Sequence, residues 1–144
     1  MSDNTKDDEY SVGFFRVYYN VLCEDALGSF KPDNNRLYVK VYSNEGPIPH
    51  FHIMTKDKSF ETCVRLDSAK YFNHGHIKGK LNTKQIKALV SFLNKKSPKH
   101  NGKTIFEIIV MAWNISTDNK TKLSLKSTKM PDYIKLNKND EGGK

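Results

Sequence analysis

Between Leu37 and Leu66 apolar side chains return at every second position in three successive runs. Leu37, Val39 and Val41 alternate with Tyr38, Lys40 and Tyr42. Phe51 and Ile53 alternate with His50, His52 and Met54, and Phe60, Val64 and Leu66 alternate with Glu61, Cys63 and Arg65. A period of two marks strands with one buried face, because successive side chains of an extended chain point to opposite sides. Ser43-Asn44-Glu45-Gly46-Pro47 and Lys56-Asp57-Lys58-Ser59 supply turn chemistry between the runs. The pattern therefore predicts a three-stranded antiparallel meander, its histidine strand over 49–55. A slip of one residue would send each buried set to solvent, so the parity is tightly held, whereas a shift by two would preserve it and stays open.

Parity also says which side chains meet. With Asp57 and Lys58 as a two-residue loop, Lys56 faces Ser59, and counting back sets Thr55 opposite Phe60, Met54 opposite Glu61, Ile53 opposite Thr62, Phe51 opposite Val64, His52 opposite Cys63 and His50 opposite Arg65. Matching Val39 and Val41 to Ile53 and Phe51 brings Lys40 near His52 and Tyr42 near His50. The expected surface carries Tyr38, Lys40, Tyr42, His50, His52, Met54, Glu61, Cys63 and Arg65.

The rest of the chain supplies a cover for the apolar face. Asn82 and Gln85 form a capping-box pattern ahead of Ile86, Leu89, Val90 and Leu93, which predicts a helix over 83–95. Thr104 and Glu107 repeat the box ahead of Ile105, Ile108, Ile109, Ala112 and Trp113, which predicts a second helix over 104–114, with Trp113 in the core. Phe14, Phe15, Val17, Tyr18, Tyr19 and Val21 favour a strand over 12–22, with a short amphipathic helix as the competing reading, and the Gly, Pro, Asp and Asn of 28–35 a loop. Residues 71–80 are irregular. Residues 1–9 read as a flexible polar arm and 116–144 as a polar tail with an apolar anchor at 130–136. The expectation is one α+β domain over 10–115, an antiparallel sheet of about four strands with two helices packed on one face.

Twenty-four basic residues against sixteen acidic ones give a formal charge of +8, which suits an anionic partner such as RNA. The basic residues are scattered, without a run of five. Cys23 and Cys63 have no CxxC spacing, no signal peptide is evident, and no apolar run approaches the ~20 residues of a membrane span. A cytoplasmic protein that does not enter the membrane is expected.

Three chemistries suit the histidine face. His50 and His52 on one strand face can share a metal ion, zinc foremost, with Cys63, Glu61 or the loop residues His74 and His76 completing the shell. Alternatively, His50, His52 and Glu61 could serve as acid and base in RNA cleavage, with Arg65 or Lys40 as the cation for the phosphorane. Tyr38, Lys40, Tyr42 and Arg65 would then bind the RNA strand, the tyrosines by stacking on bases. In the third reading the histidines only cover the sheet, and the protein works through a host or cognate protein partner.

Tyr42-Ser43-Asn44, then Pro49-His50-Phe51-His52-Ile53, a short hairpin, a Lys-rich helix and a closing Trp113-Asn114 resemble an uncharacterised family of small bacterial and phage proteins with a Pro-Pro-His-X-His-Val type motif. The resemblance runs from Leu37 to Asn114. Ile48 stands where the family usually has its second proline, and the N-terminal arm, residues 98–103 and the tail are additions. Some relatives belong to toxin-antitoxin-like gene pairs, which adds to the net charge and the mixed His, Lys, Arg and Tyr face in favour of RNA binding as the leading expectation, with nuclease activity of the toxin type as an option. The Lys and Asn bias and compact size also fit a phage or mobile-element accessory protein, which would act in the host cytoplasm.

Overall fold

Leu37, Val39, Phe51, Ile53 and Val64 are all buried, and their shared face fixes the register of the strands that carry them. The computed structural model describes residues 10–12, 17–18, 21–22, 27–42, 46–73, 79–115 and 121–138. The expected arm at 1–9, Cys23, His74 and His76 lie outside the described residues. The first elements are β1 (Tyr10–Val12), β2 (Val17–Tyr18), β3 (Val21–Leu22) and β4 (Gly28–Phe30), followed by β5 (Leu37–Lys40), β6 (His50–Met54) and β7 (Glu61–Arg65). One antiparallel sheet runs in the order β1-β4-β5-β6-β7, with β2 and β3 as a separate ladder.

The meander has the expected register. His50 pairs with Arg65, His52 with Cys63 and Met54 with Glu61, while Val39 faces Ile53 and Lys40 faces His52. The β6–β7 loop holds four residues rather than two. Thr55 N–H bonds the Phe60 carbonyl at 3.0 Å, Lys58 N–H returns to the Thr55 carbonyl, and Lys58 adopts φ 61°. Asp57 ties this loop by accepting from Thr55 Oγ1 and Ser59 N–H. The backbone bond from Ser59 is the largest cause holding its carboxyl below the usual carboxylate range. Parity survives because both loop lengths are even.

Two expectations need correction. The segment 12–22 is not one strand: Val17 pairs with Leu22 and Tyr18 with Val21, so the chain reverses within it. A local ladder satisfies these backbone groups without extending the segment. Gly28–Phe30, expected in a loop, is a strand that pairs Gly28 with Val39 and Phe30 with Leu37. Gly and Ser are poor strand formers, so the partner supplies the preference. The Phe30 ring stacks on Phe92 at 5.1 Å and holds the pairing in place.

The helices start at their predicted caps. In α1 (Thr83–Leu93), Asn82 Oδ1 accepts from Gln85 N–H at 2.7 Å and Gln85 Oε1 accepts from Asn82 N–H at 2.8 Å. It ends two residues before 95, where the chain enters a small hairpin of β8 (Lys96–Ser97) and β9 (Lys103–Thr104). In α2 (Ile105–Ile115), Thr104 and Glu107 exchange the same pair of bonds. Phe106 and Val110 are buried along with the expected stripe, so α2 is enclosed on most of its circumference. Both helices share one core cluster with the apolar sheet face, and Tyr133 and Leu136 join it. Tyr133 donates to the Arg65 carbonyl, and its burial pushes the phenol well above its ordinary pKa. Among the described residues, no helix is long and apolar enough to cross a membrane.

Candidate metal centre

Strand parity puts His50 and His52 on the same face of β6, and the antiparallel register sets Cys63 of β7 directly beside His52. Glu61, two residues before Cys63, projects to the same side. The result is a compact donor set. Ligating atoms of His50, His52 and Cys63 all lie within 4.8 Å of one another, the one grouping of three such residues among the described residues that could hold a metal ion.

Neighbouring oxygens set the ring orientations. His50 Nδ1–H donates to the Ile48 carbonyl at 2.6 Å, and because a carbonyl only accepts, the lone pair of the neutral ring sits on Nε2. His52 Nδ1–H donates to Glu61 Oε2 at 3.0 Å, and Cys63 Sγ lies 3.2 Å from the same nitrogen. A backbone carbonyl on one imidazole and a carboxylate on the other is the outer support that metal-ligating histidines usually have. Two imidazoles and a thiol are donors of intermediate to soft character, which suit zinc better than calcium or magnesium.

The face is not the open surface that strand parity suggested. His50 is 1% exposed, His52 4% and Cys63 0%. The Tyr42 ring meets His52 edge-on at 4.7 Å and 88°, Phe72 lies 4.7 Å from the His50 ring, and Trp113 lies 5.4 Å from it. Alternation predicts which side chains share a face and says nothing of what the distant chain lays over it. Phe72 belongs to the irregular stretch 71–80 and Trp113 to the apolar stripe of α2, so local pattern places neither of them at the histidines. Aromatic residues outside the strands, with no strand of their own to cover, were the available signal.

The remaining predicted residues divide between centre and rim. Glu61 joins the centre through His52. Arg65 is opposite His50 in register, but its guanidinium makes two bonds to Asp67, at 2.8 and 2.9 Å. That bond raises the Arg65 pKa and, as its largest cause, holds the Asp67 carboxyl below its usual range. Lys40 and Lys58 each bring an ammonium to 6.0 Å from the Tyr42 ring centroid. Tyr38 pairs with Met54 and lines a cleft of about 570 Å³ with Arg36 and Lys56.

Comparison with models of known families, with curated proteins and with solved structures finds nothing that matches this chain.

Proposed function

We propose that this is a metal-binding protein whose His50, His52 and Cys63 supply three ligands to a zinc ion that clamps β6 to β7. The carrying observation is the convergence of three buried donor groups with their outer supports already in position. Structural zinc sites carry four protein ligands; His50, His52 and Cys63 supply three, which leaves one position of the ion for a further donor. Here Tyr42, Phe72 and Trp113 keep water from the donors, Ile48 fixes the His50 tautomer, and Glu61 orients His52. When bound, the ion supplies a cross-link in place of the hydrogen bonds these buried polar groups would otherwise need. Elemental analysis of untagged protein tests the reading. About one zinc per chain, lost in Cys63→Ser and in His52→Ala, is the expected result. Zinc, iron and manganese all well below one per chain would sink it.

A second reading, RNA binding, is supported by Lys40 and Lys58 flanking the Tyr42 ring and by the cleft at Tyr38. Binding fits better than cleavage. A general acid or base must come within hydrogen-bond reach of its substrate, and His50 and His52 are shut away from a strand while Arg65 is engaged by Asp67. Affinity for a labelled RNA should fall steeply between 50 and 200 mM salt. Indifference to salt would remove the electrostatic basis of this reading.

A further inference from the structure

The positive charge of this chain is concentrated. From Asp67 to Glu107 no acidic residue intervenes, and that stretch contains nine lysines. Outside it, fifteen basic residues face sixteen acidic ones, so the whole net charge belongs to one stretch. No five basic residues are consecutive here, so the informative signal is the missing acids.

Two of these lysines, Lys84 and Lys95, line a groove along α1. Lys84, Ala88 and Ser91 follow at helical spacing on one side of α1, Lys95 lies just past its end, and their groove of about 270 Å³ is closed opposite by Lys31. Among the described residues its lining contains three lysines and no carboxylate. The floor is the stacked pair Phe30 and Phe92, each 2% exposed. Rings so deeply buried cannot stack on bases, so the polar groups that the described lining offers a ligand are the ammonium groups and the Ser91 hydroxyl. Beyond Lys95 the β8–β9 hairpin adds Lys96 and Lys99, both exposed, and the first turn of α1 has no acidic residue to offset its dipole. From Lys84 to the end of α1 at Leu93 the stripe runs about 14 Å at 1.5 Å per residue, and Lys95 extends it just past the helix end, a linear array suited to a linear polyanion.

We infer that the α1 groove of Lys31, Lys84, Ser91 and Lys95 is the docking surface for the phosphodiester backbone of a nucleic-acid strand. The inference rests on the RNA-binding reading and moves its main contact from the Tyr42 face to α1. Contacts to phosphate alone carry no sequence information, so binding through this groove is indifferent to base sequence.

The test uses the full chain and fluorescein-labelled 20-nucleotide RNA strands of two unrelated sequences, by anisotropy across a salt series. Lys84→Glu/Lys95→Glu is compared with Lys126→Glu/Lys129→Glu, an equal charge change at exposed sites in the tail. The α1 pair should weaken binding roughly tenfold or more on both sequences and flatten the log–log salt slope by about 1.4, two phosphate contacts at about 0.7 each. The tail pair should stay within about twofold of the parent. Lys84→Gln/Lys95→Gln, with circular dichroism on every variant, should show an intermediate loss on an intact fold. Equal losses from the two reversal pairs would overturn the inference, since net charge alone would then be acting. So would an unaffected α1 variant beside a loss in Lys40→Glu/Lys58→Glu, which would keep RNA binding but return it to the Tyr42 face. Displacement by polyglutamate as readily as by unlabelled RNA would assign the groove to an acidic protein instead. No binding by the parent at 50 mM salt would end the RNA-binding reading itself.

Discussion

Replacing Trp113 with phenylalanine probes the lid and the core together. The indole is fully buried, lies 5.4 Å from the His50 ring, and donates Nε1–H to the Thr121 carbonyl at 2.6 Å. Three losses follow from the substitution. Thr121 is exposed, so water can take up its vacated carbonyl and the lost bond costs about 1 kcal/mol, not a full desolvation penalty. The smaller ring removes roughly 40 Å² of apolar burial, about 1 kcal/mol at 25 cal/mol per Å². It leaves roughly 35–40 Å³ unfilled, close to another ~0.9 kcal/mol at about 24 cal/mol per Å³. The sum is about 3 kcal/mol. For a chain of this length that is a fall in Tm of about 10 °C. Because Trp113 is the sole tryptophan, the transition must be followed by far-ultraviolet circular dichroism, with urea unfolding as the second measurement. A loss below about 1 kcal/mol by both would refute the packing and the hydrogen bond described for this ring.

The same indole reports on the candidate metal centre. Cobalt(II) should quench tryptophan fluorescence in the parent and leave His52→Ala unquenched, and equal quenching in both would take the ion away from His52. Asn82→Ala should lower stability by about 1 kcal/mol, because it removes one half of the α1 capping box; no change in urea midpoint would contradict that role. Burial first, and the Lys99 charge second, hold the His100 imidazole below 6.5. The unfolded chain therefore binds more protons in the window from the folded value up to about 6.5, and stability rises with pH through that window and is fully present above it. His100→Gln should flatten this part of the stability profile, and a profile that keeps the parent's slope there would sink the assignment.

Much of the fold was legible because its determinants are local. The capping boxes at Asn82 and Gln85 and at Thr104 and Glu107 each close within three residues, and both helices begin where those boxes put them. The α+β class and the pairing of β5, β6 and β7 follow from alternation over 37–66. Local signals failed at Gly28–Phe30, whose strand character comes from β5 beside it and Phe92 beneath it. They failed again within 12–22, where strand-forming side chains fit a hairpin as well as a single strand.

The sequence by itself determined that His50, His52, Cys63 and Glu61 share one side of a hairpin, since two-residue periodicity and an even loop leave the buried side chains no other face. Only the tertiary structure decided that this side is closed. Phe72 and Trp113 reach His50 from outside the hairpin, the latter from more than sixty residues along the chain, and that approach is fixed by packing across the whole core. The lysines obey the same division. Their acid-free stretch is written in the sequence, whereas the groove that gathers Lys31 with Lys84 and Lys95 exists only because Phe30 and Phe92 bring β4 against α1.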